Sequence, residues 1–246
     1  MNATLRIVRF LARCGAASRR DAADLVRAGR VMINGVVCAD LSAQVDPARD
    51  VVLFDGKPLA LAPRDVTLML NKPPGVLVSR GDMRGRQTVY DLLPEEHREL
   101  ASRLAYVGRL DFDTEGLLLL TTDGELVNRL THPSHEVEKE YRVRASRELT
   151  VEEAQRFQEG VEIEGRKTQA CRLTRLDRDG RPAYAVVLRE GRNRQVRRMF
   201  EALGVRVLHL KRVRIGRLTL GGLPPGHWRE LGPEDFRRLF GTGHAR

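Results

Sequence analysis

The sequence predicts an α+β protein in two parts: a small N-terminal helix-helix-hairpin unit, then a larger part built on a mostly antiparallel mixed sheet with flanking helices. Apolar residues recur at helical spacing in the first thirty positions and give way to Asn34-Gly35 between β-branched residues. Beyond residue 65, strand-like runs joined by tight turns alternate irregularly with helical stretches. That mixture suits an antiparallel α+β sheet rather than regular βαβ units. The proline-bearing stretch PLALAPRD, residues 58–65, separates the two regimes. The expected division is a unit over 1–60, a linker over 61–65 and a larger domain over 66–246.

Along the chain, Ile7, Phe10, Leu11 and Cys14 fall at i, i+3, i+4 and i+7, an amphipathic helix that Gly15 stops. Ser18, with Asp21 three residues on, reads as the cap of a second helix whose Leu25 and Val26 face inward before Gly29 ends it. VMINGVV then reads as a hairpin, because Asn-Gly supplies the two positive-φ residues of a tight turn. Val51 to Phe54 is a further strand before Asp55-Gly56. In the larger part Val66 to Leu70, Gly116 to Thr122, Glu138 to Val143, Ala170 to Leu176 and Ala183 to Leu188 read as strands, with Asp179-Gly180 turning the last pair. Thr150 and Glu153 form a capping box for a helix reaching Glu159. Asn193 to Leu203 is a helix with Val196, Met199, Phe200 and Leu203 inward and Arg194, Arg197, Arg198 and Glu201 on the other side.

Composition narrows the function classes. With 246 residues, 41% hydrophobic and 31% charged, the chain is not of a disordered kind. No apolar run approaches the roughly 18 residues of a membrane span, Leu117 to Leu120 being the longest notable stretch. Arginines interrupt the apolar residues of MNATLRIVRFLARCG, so a signal peptide is not expected. Cys14, Cys38 and Cys171 are odd in number, far apart and without a C-x-x-C, which predicts a reducing, cytoplasmic setting and no disulfide scaffold. Residues 1–30 hold seven Arg against two Asp, and residues 189–217 hold ten Lys/Arg against two Glu. Two basic segments on an otherwise slightly acidic chain predict a polyanion-binding surface. Arg6, Arg9 and Arg13 share the face opposite the first apolar stripe, and Arg19, Arg20, Arg27 and Arg30 follow from the second helix and its end.

The chemistry centres on VGRLDFDTEGLLLLTTDGEL, residues 107–126. Asp111, Asp113, Glu115 and Gly116 begin like a calcium loop, but the position of its bidentate glutamate is Thr122 and the intervening leucines read as a buried strand. His132 and His135 lack the glutamate of a zinc helix and read as loop residues, so no metal is expected. There is no G-x-S-x-G, no G-x-x-x-x-G-K-[ST] and no G-x-G-x-x-G after a strand. A carboxylate can attack an electrophilic carbon when a cation keeps it ionised and a dry pocket excludes water. Taken alone, Asp111 is equally a loop cap.

Resemblance adds to this. RIVRFLARCGAASRRDAADLVRAGRVMINGVVCADLSAQV resembles the alpha-L RNA-binding module of a small-subunit ribosomal protein, some aminoacyl-tRNA synthetases and several RNA-modifying enzymes. LNKPPGVLVS, VGRLDFDTEGLLLLTTDG, EKEYRV, REGRNRQVRRMFEALG and LKRVRIGRLTLGGLPPGHWREL resemble, in order, the motifs of the ribosomal RNA pseudouridine synthases of the small-subunit type A and large-subunit type B group, most of all the type B members. The resemblance implies isomerisation of a uridine to pseudouridine in large-subunit ribosomal RNA without a cofactor. It places the catalytic aspartate at Asp111, a substrate-binding tyrosine at Tyr141 and a substrate-binding arginine, paired with Asp111, at Arg197. Asp113 is expected to face away from Asp111. Arg6, Arg9, Arg13, Arg19, Arg20 and Arg194 are the expected RNA contacts. The expected partner is ribosomal RNA, bound by a monomer, with no membrane. The alternatives are a small-subunit or transfer-RNA target, a non-catalytic RNA-binding or ribosome-assembly protein, and a metal-dependent nuclease using Asp111 and Asp113.

Overall fold

The computed structural model describes residues 4–17, 19–61, 64–178 and 180–240. The chain divides into two compact units, Met1–Val66 with Glu99–Leu104, and Thr67–Arg98 with Ala105–Arg246. Among the described residues no helix is long and apolar enough to cross a membrane.

The first unit runs β1 (Leu5–Arg6), α1 (Ile7–Arg13), α2 (Arg19–Arg27), β2 (Val31–Ile33), β3 (Val36–Val37), β4 (Gln44–Val45), β5 (Val52–Phe54) and β6 (Lys57–Leu59). β1 pairs with β4, and the other strands form an antiparallel sheet in the order β3-β2-β5-β6. Asn34 (φ 51°) and Gly35 (φ 81°) make the expected hairpin turn, and Asp55 (φ 47°) with Gly56 (φ 76°) makes another. The second turn carries Lys57 to Leu59 back onto the sheet, so Pro58 and Leu59 are strand residues rather than linker. Pro58 is tolerated because β6 is an edge strand. Ile7, Phe10, Leu11, Ala22, Val26, Val31, Val45 and Val52 form the core. Arg6 belongs to β1, so only Arg9 and Arg13 of the first three arginines lie on α1. The cap assigned to Ser18 lies outside the described residues.

The second unit continues with β7 (Thr67–Lys72), β8 (Ala105–Val107), β9 (Glu115–Thr121), α3 (Gly124–Thr131), β10 (Lys139–Ala145), α4 (Val151–Glu159), a small hairpin of β11 (Glu162–Ile163) and β12 (Arg166–Lys167), β13 (Arg172–Arg178), β14 (Arg181–Leu188), α5 (Gln195–Glu201), β15 (Val207–Ile215), β16 (Leu218–Thr219), β17 (Trp228–Glu230) and α6 (Pro233–Phe240). Its sheet has nine strands in the order β13-β14-β10-β15-β9-β7-β17, with β8 on β9 and β16 on β15. The β15–β9 pair is parallel and the others are antiparallel. One core joins Val143 and Val186 to Phe157 of α4 and to Met199 and Phe200 of α5. The other joins Met69, Leu117 and Leu119 to Leu126 and Leu130 of α3 and to Leu239 of α6. Leu117 to Leu120 are all fully buried, which is why this strand reads as an unbroken apolar run instead of alternating.

The five predicted strands of this unit lie within two residues of β7, β9, β10, β13 and β14, and the Thr150–Glu153 capping box is present. β15 was not anticipated. Asp179 lies outside the described residues. The helix after Asn193 begins later than expected, at Gln195, because Arg194 adopts the left-handed conformation (φ 50°). Arg197 is buried rather than on a solvent face. The short helix leans on residues 111–114 as well as on the sheet, so a flank that helical spacing assigns to water is covered by a distant loop.

Gly116 is fixed by the parallel pair. It sits opposite Arg212 at φ 109°, and a β-carbon on it would lie 2.2 Å from the Arg212 carbonyl oxygen. Gly116→Ala is expected to destabilise the protein by about 3 kcal/mol or more through backbone clash and strain, lowering the melting temperature by about 10 °C. Gly222→Ala, with nothing within 4 Å of its added carbon, should melt like the parent in the same scan.

Candidate active site

Residues 108–114 join β8 to its antiparallel partner β9. The Thr114 N–H donates to the Asp111 carbonyl at 3.1 Å, closing a turn. Lys72, the last residue of β7, is wholly buried beneath it. Its Nζ donates to the carbonyls of Pro73 (2.9 Å), Thr114 (2.8 Å) and Phe112 (3.3 Å). The Gly75 N–H also donates to the Phe112 carbonyl, at 2.8 Å. An ammonium has three protons and no acceptor, so these three carbonyls use all of its bonding capacity. Burial pushes the Lys72 pKa down to about 8, against the pull of Asp113, Asp111 and Glu115.

Two arginines from the start of α5 meet the turn. Arg194 Nη1 lies 3.9 Å from Asp111 Oδ2 and 3.5 Å from Asp113 Oδ1. Arg197 Nη2 lies 3.0 Å from Asp113 Oδ2 and donates to the Asp113 carbonyl at 3.3 Å, while Nη1 donates to the Val207 carbonyl of β15 at 3.0 Å. The expected Arg197–Asp111 pair is therefore not formed: Arg197 takes Asp113, and Arg194 is the cation beside Asp111. Nor does Asp113 face away from Asp111. The segment turns instead of extending, and both carboxylates approach one guanidinium. Arg194, expected as an RNA contact, is engaged with these carboxylates. His132 caps a short 3-10 turn, Pro133–His135, and no group of three or more His, Cys, Asp or Glu side chains that could hold a metal occurs among the described residues.

Asp111, Thr114, Tyr141, Leu188, Arg194 and Leu210 line a cavity of about 60 Å³. Tyr141, half-buried on β10, lines the same cavity as Asp111. Thr114 Oγ1 is buried and makes no hydrogen bond among the described residues, so it is a polar atom available to a ligand. Thr114 and Leu210 gave no signal outside the motifs that contain them, and Leu188 appeared only as the end of a strand. Of the long side chains that line the cavity, Arg109 and Arg194 are exposed.

In the first unit, Arg6 is exposed, whereas Arg9 and Arg13 are half-buried. Arg13 pairs with Asp65 at 2.9 Å, Arg27 with Asp24 at 2.8 Å, and Arg30 Nε donates to Asp55 at 2.9 Å. The side chains of Arg19 and Arg20 lie outside the described residues.

Comparison with known proteins bears on both units. Residues 66–202 match the family described as RNA pseudouridylate synthase, and residues 5–52 match the S4 domain. The chain is 42% identical over 232 residues to the ribosomal large subunit pseudouridine synthase B of Vibrio cholerae, covering 92% of this chain and 71% of that protein. It is 37% identical over 237 residues to the protein of the same name from Bacillus subtilis, covering 95% of each. A crystal structure of a pseudouridylate synthase superposes with a TM-score of 0.68 at 33% identity, over 96% of this chain and 99% of the other.

The Lys72 ammonium should be visible in stability against pH. Its folded pKa of about 8 lies below the ordinary 10.5, so across that window the unfolded chain holds a proton that the folded chain has lost. Lys72 therefore makes stability rise with pH between about 8 and 10.5. Melting the parent and Lys72→Met side by side from neutral to alkaline pH should show the parent gaining on the variant over that window. Parallel curves would contradict the assignment.

Proposed function

Because the chain belongs to the RNA pseudouridylate synthase family, we propose that it isomerises a uridine of large-subunit ribosomal RNA and that Asp111 is the carboxylate that does so. The observation that carries the assignment is the turn itself: Asp111 shares one cavity with Tyr141 and Arg194, on a backbone pinned from below by Lys72. The names of the Vibrio cholerae and Bacillus subtilis relatives support the choice of RNA.

Isomerisation breaks the N1–C1′ bond and joins C5 to the same ribose carbon, with a proton lost from C5 and one gained at N1, so no group or electron is supplied from outside. The two electrophilic carbons open to a carboxylate, C1′ and C6, are both bonded to N1, and one placement of Asp111 serves either. Tyr141 provides a flat ring for the uracil to stack on. Arg194 places a guanidinium nitrogen 3.9 Å from the Asp111 carboxylate, where it can orient that side chain. Arg197 acts at one remove: by holding Asp113 and the β15 backbone it fixes the turn on which Asp111 rides. Leu188, Leu210 and Val196 line the cavity with apolar surface that keeps water from the reacting carbon. The uridine must leave its stack to enter, at a cost of a few kcal/mol that contacts elsewhere on the RNA supply. The S4 unit contributes those contacts through phosphates, with Arg6, Arg9, Arg13, Arg19 and Arg20 as the candidate side chains.

Mapping pseudouridines in ribosomal RNA from cells with and without the gene should reveal one large-subunit position that depends on it. In vitro, Asp111→Asn should lower turnover by more than about 10³-fold while RNA binding survives. Asp113→Asn should fold less stably and turn over more slowly, by about tenfold, because it releases Arg197. A folded Asp111→Asn protein with parental activity would favour a non-catalytic RNA binder.

Binding should also respond to salt. Two segments of net +5 and +8 neutralise several phosphates, and affinity should fall at least about tenfold between about 50 and 200 mM salt. A flat titration would exclude phosphate contacts as the main source of affinity.

A further inference from the structure

We propose that Phe112 is a stacking platform for a nucleobase flanking the target uridine, with Arg86 beside it; the proposal rests on the reading of Asp111 as the catalytic residue. The sequence contains twelve aromatic residues, seven Phe, four Tyr and one Trp. Among the described residues Phe112 is the exposed one, at 43%, and the others are half-buried or buried. A singly exposed apolar residue needs no explanation by itself, but this one stands between Asp111 and Asp113. Its outward position is built, not accidental: the Phe112 carbonyl accepts from the Gly75 N–H at 2.8 Å and from Lys72 Nζ at 3.3 Å, so the backbone that carries the ring is fixed.

A cation is held against the same ring. The Arg86 guanidinium carbon lies 5.8 Å from the ring centroid. Asp82 orients Arg86 by accepting from Nε (3.0 Å) and Nη2 (2.8 Å), and also accepts the backbone N–H groups of Arg84 (3.1 Å) and Arg86 (3.0 Å). A fixed arginine beside an exposed aromatic face is the combination that receives an unpaired base and its phosphate. Phe112 does not line the cavity that holds Asp111 and Tyr141, so the base it meets is not the one being isomerised. When a uridine leaves the stack its neighbours lose a partner. A phenyl ring one residue from the nucleophile gives one of them a replacement.

The test uses the full-length protein and a stem-loop transcript of large-subunit ribosomal RNA containing the uridine the parent converts, with 2-aminopurine placed on either side of it. Phe112→Ala should raise KM about tenfold or more and abolish the fluorescence change at one flanking position. Phe112→Trp should keep both, and Phe112→Leu, which preserves apolar volume without a ring, should behave like Phe112→Ala. An abasic nucleotide at the responsive position should remove the difference between the parent and Phe112→Ala. If Phe112→Ala, or Phe112→Leu should the alanine variant fail to fold, matches the parent in KM and fluorescence, the platform is excluded. If the parent converts no uridine in any ribosomal transcript, the underlying reading fails instead.

Discussion

Burying an ammonium costs several kcal/mol unless its protons find acceptors, and Lys72 finds them in backbone carbonyls on either side of a forty-residue separation in sequence. The Phe112 carbonyl also accepts from the Gly75 N–H, so the lysine braces the turn together with a backbone bond. Above this anchor the charges sort themselves. Asp111 and Asp113 meet Arg194, Asp113 also takes Arg197, and Glu115, where β9 begins, accepts from His209 at 2.7 Å with Lys211 Nζ 3.7 Å away. Each carboxylate of the D-x-D-x-E run thus lies beside at least one basic side chain.

Much of the fold was legible because local signals and tertiary demand agree. The hairpin turn at Asn34-Gly35, the capping box at Thr150 and the all-apolar run before Thr121 each require a particular backbone whatever surrounds them. β15 was illegible for the opposite reason. VLHLKRVRI carries three charged residues and a histidine, and exposes Leu208 while burying Arg212, whose Nε donates to the Leu117 carbonyl at 2.8 Å. A register shift against β10 between Glu140 and Tyr141 breaks its alternation further. No period-2 pattern survives a buried arginine and a bulge in one strand. The return of Glu99–Leu104 to the first unit had no local signal at all.

The site divided along similar lines. Asp111 is singled out by the motif around it, and Tyr141 lines the same cavity from β10. The partner of Arg197 was misread because pairing between loop and helix depends on where the helix starts, and the left-handed Arg194 delays that start. The same delay places Arg194, which resembled one more surface cation, at the carboxylates. Thr114 and Lys72 carry no charge pattern that marks them. They matter through burial and backbone contacts, which sequence periodicity does not report.

The place of β15 in the sheet has a consequence for how the enzyme comes into being. β7 with β9, and β10 with β13 and β14, are each assembled from nearby stretches of chain, but the two groups share no edge until β15 enters between β9 and β10. Asp111 belongs to the first group and Tyr141 to the second. The strand that unites them pairs Lys211 with Glu115, a closure of nearly a hundred residues that is slow to form. During synthesis, with domains folding as they emerge from the N-terminal side, the RNA-binding unit can be complete while catalytic chemistry is still impossible. A nascent chain can thus complete the S4 unit well before one late segment joins the two halves of the larger sheet.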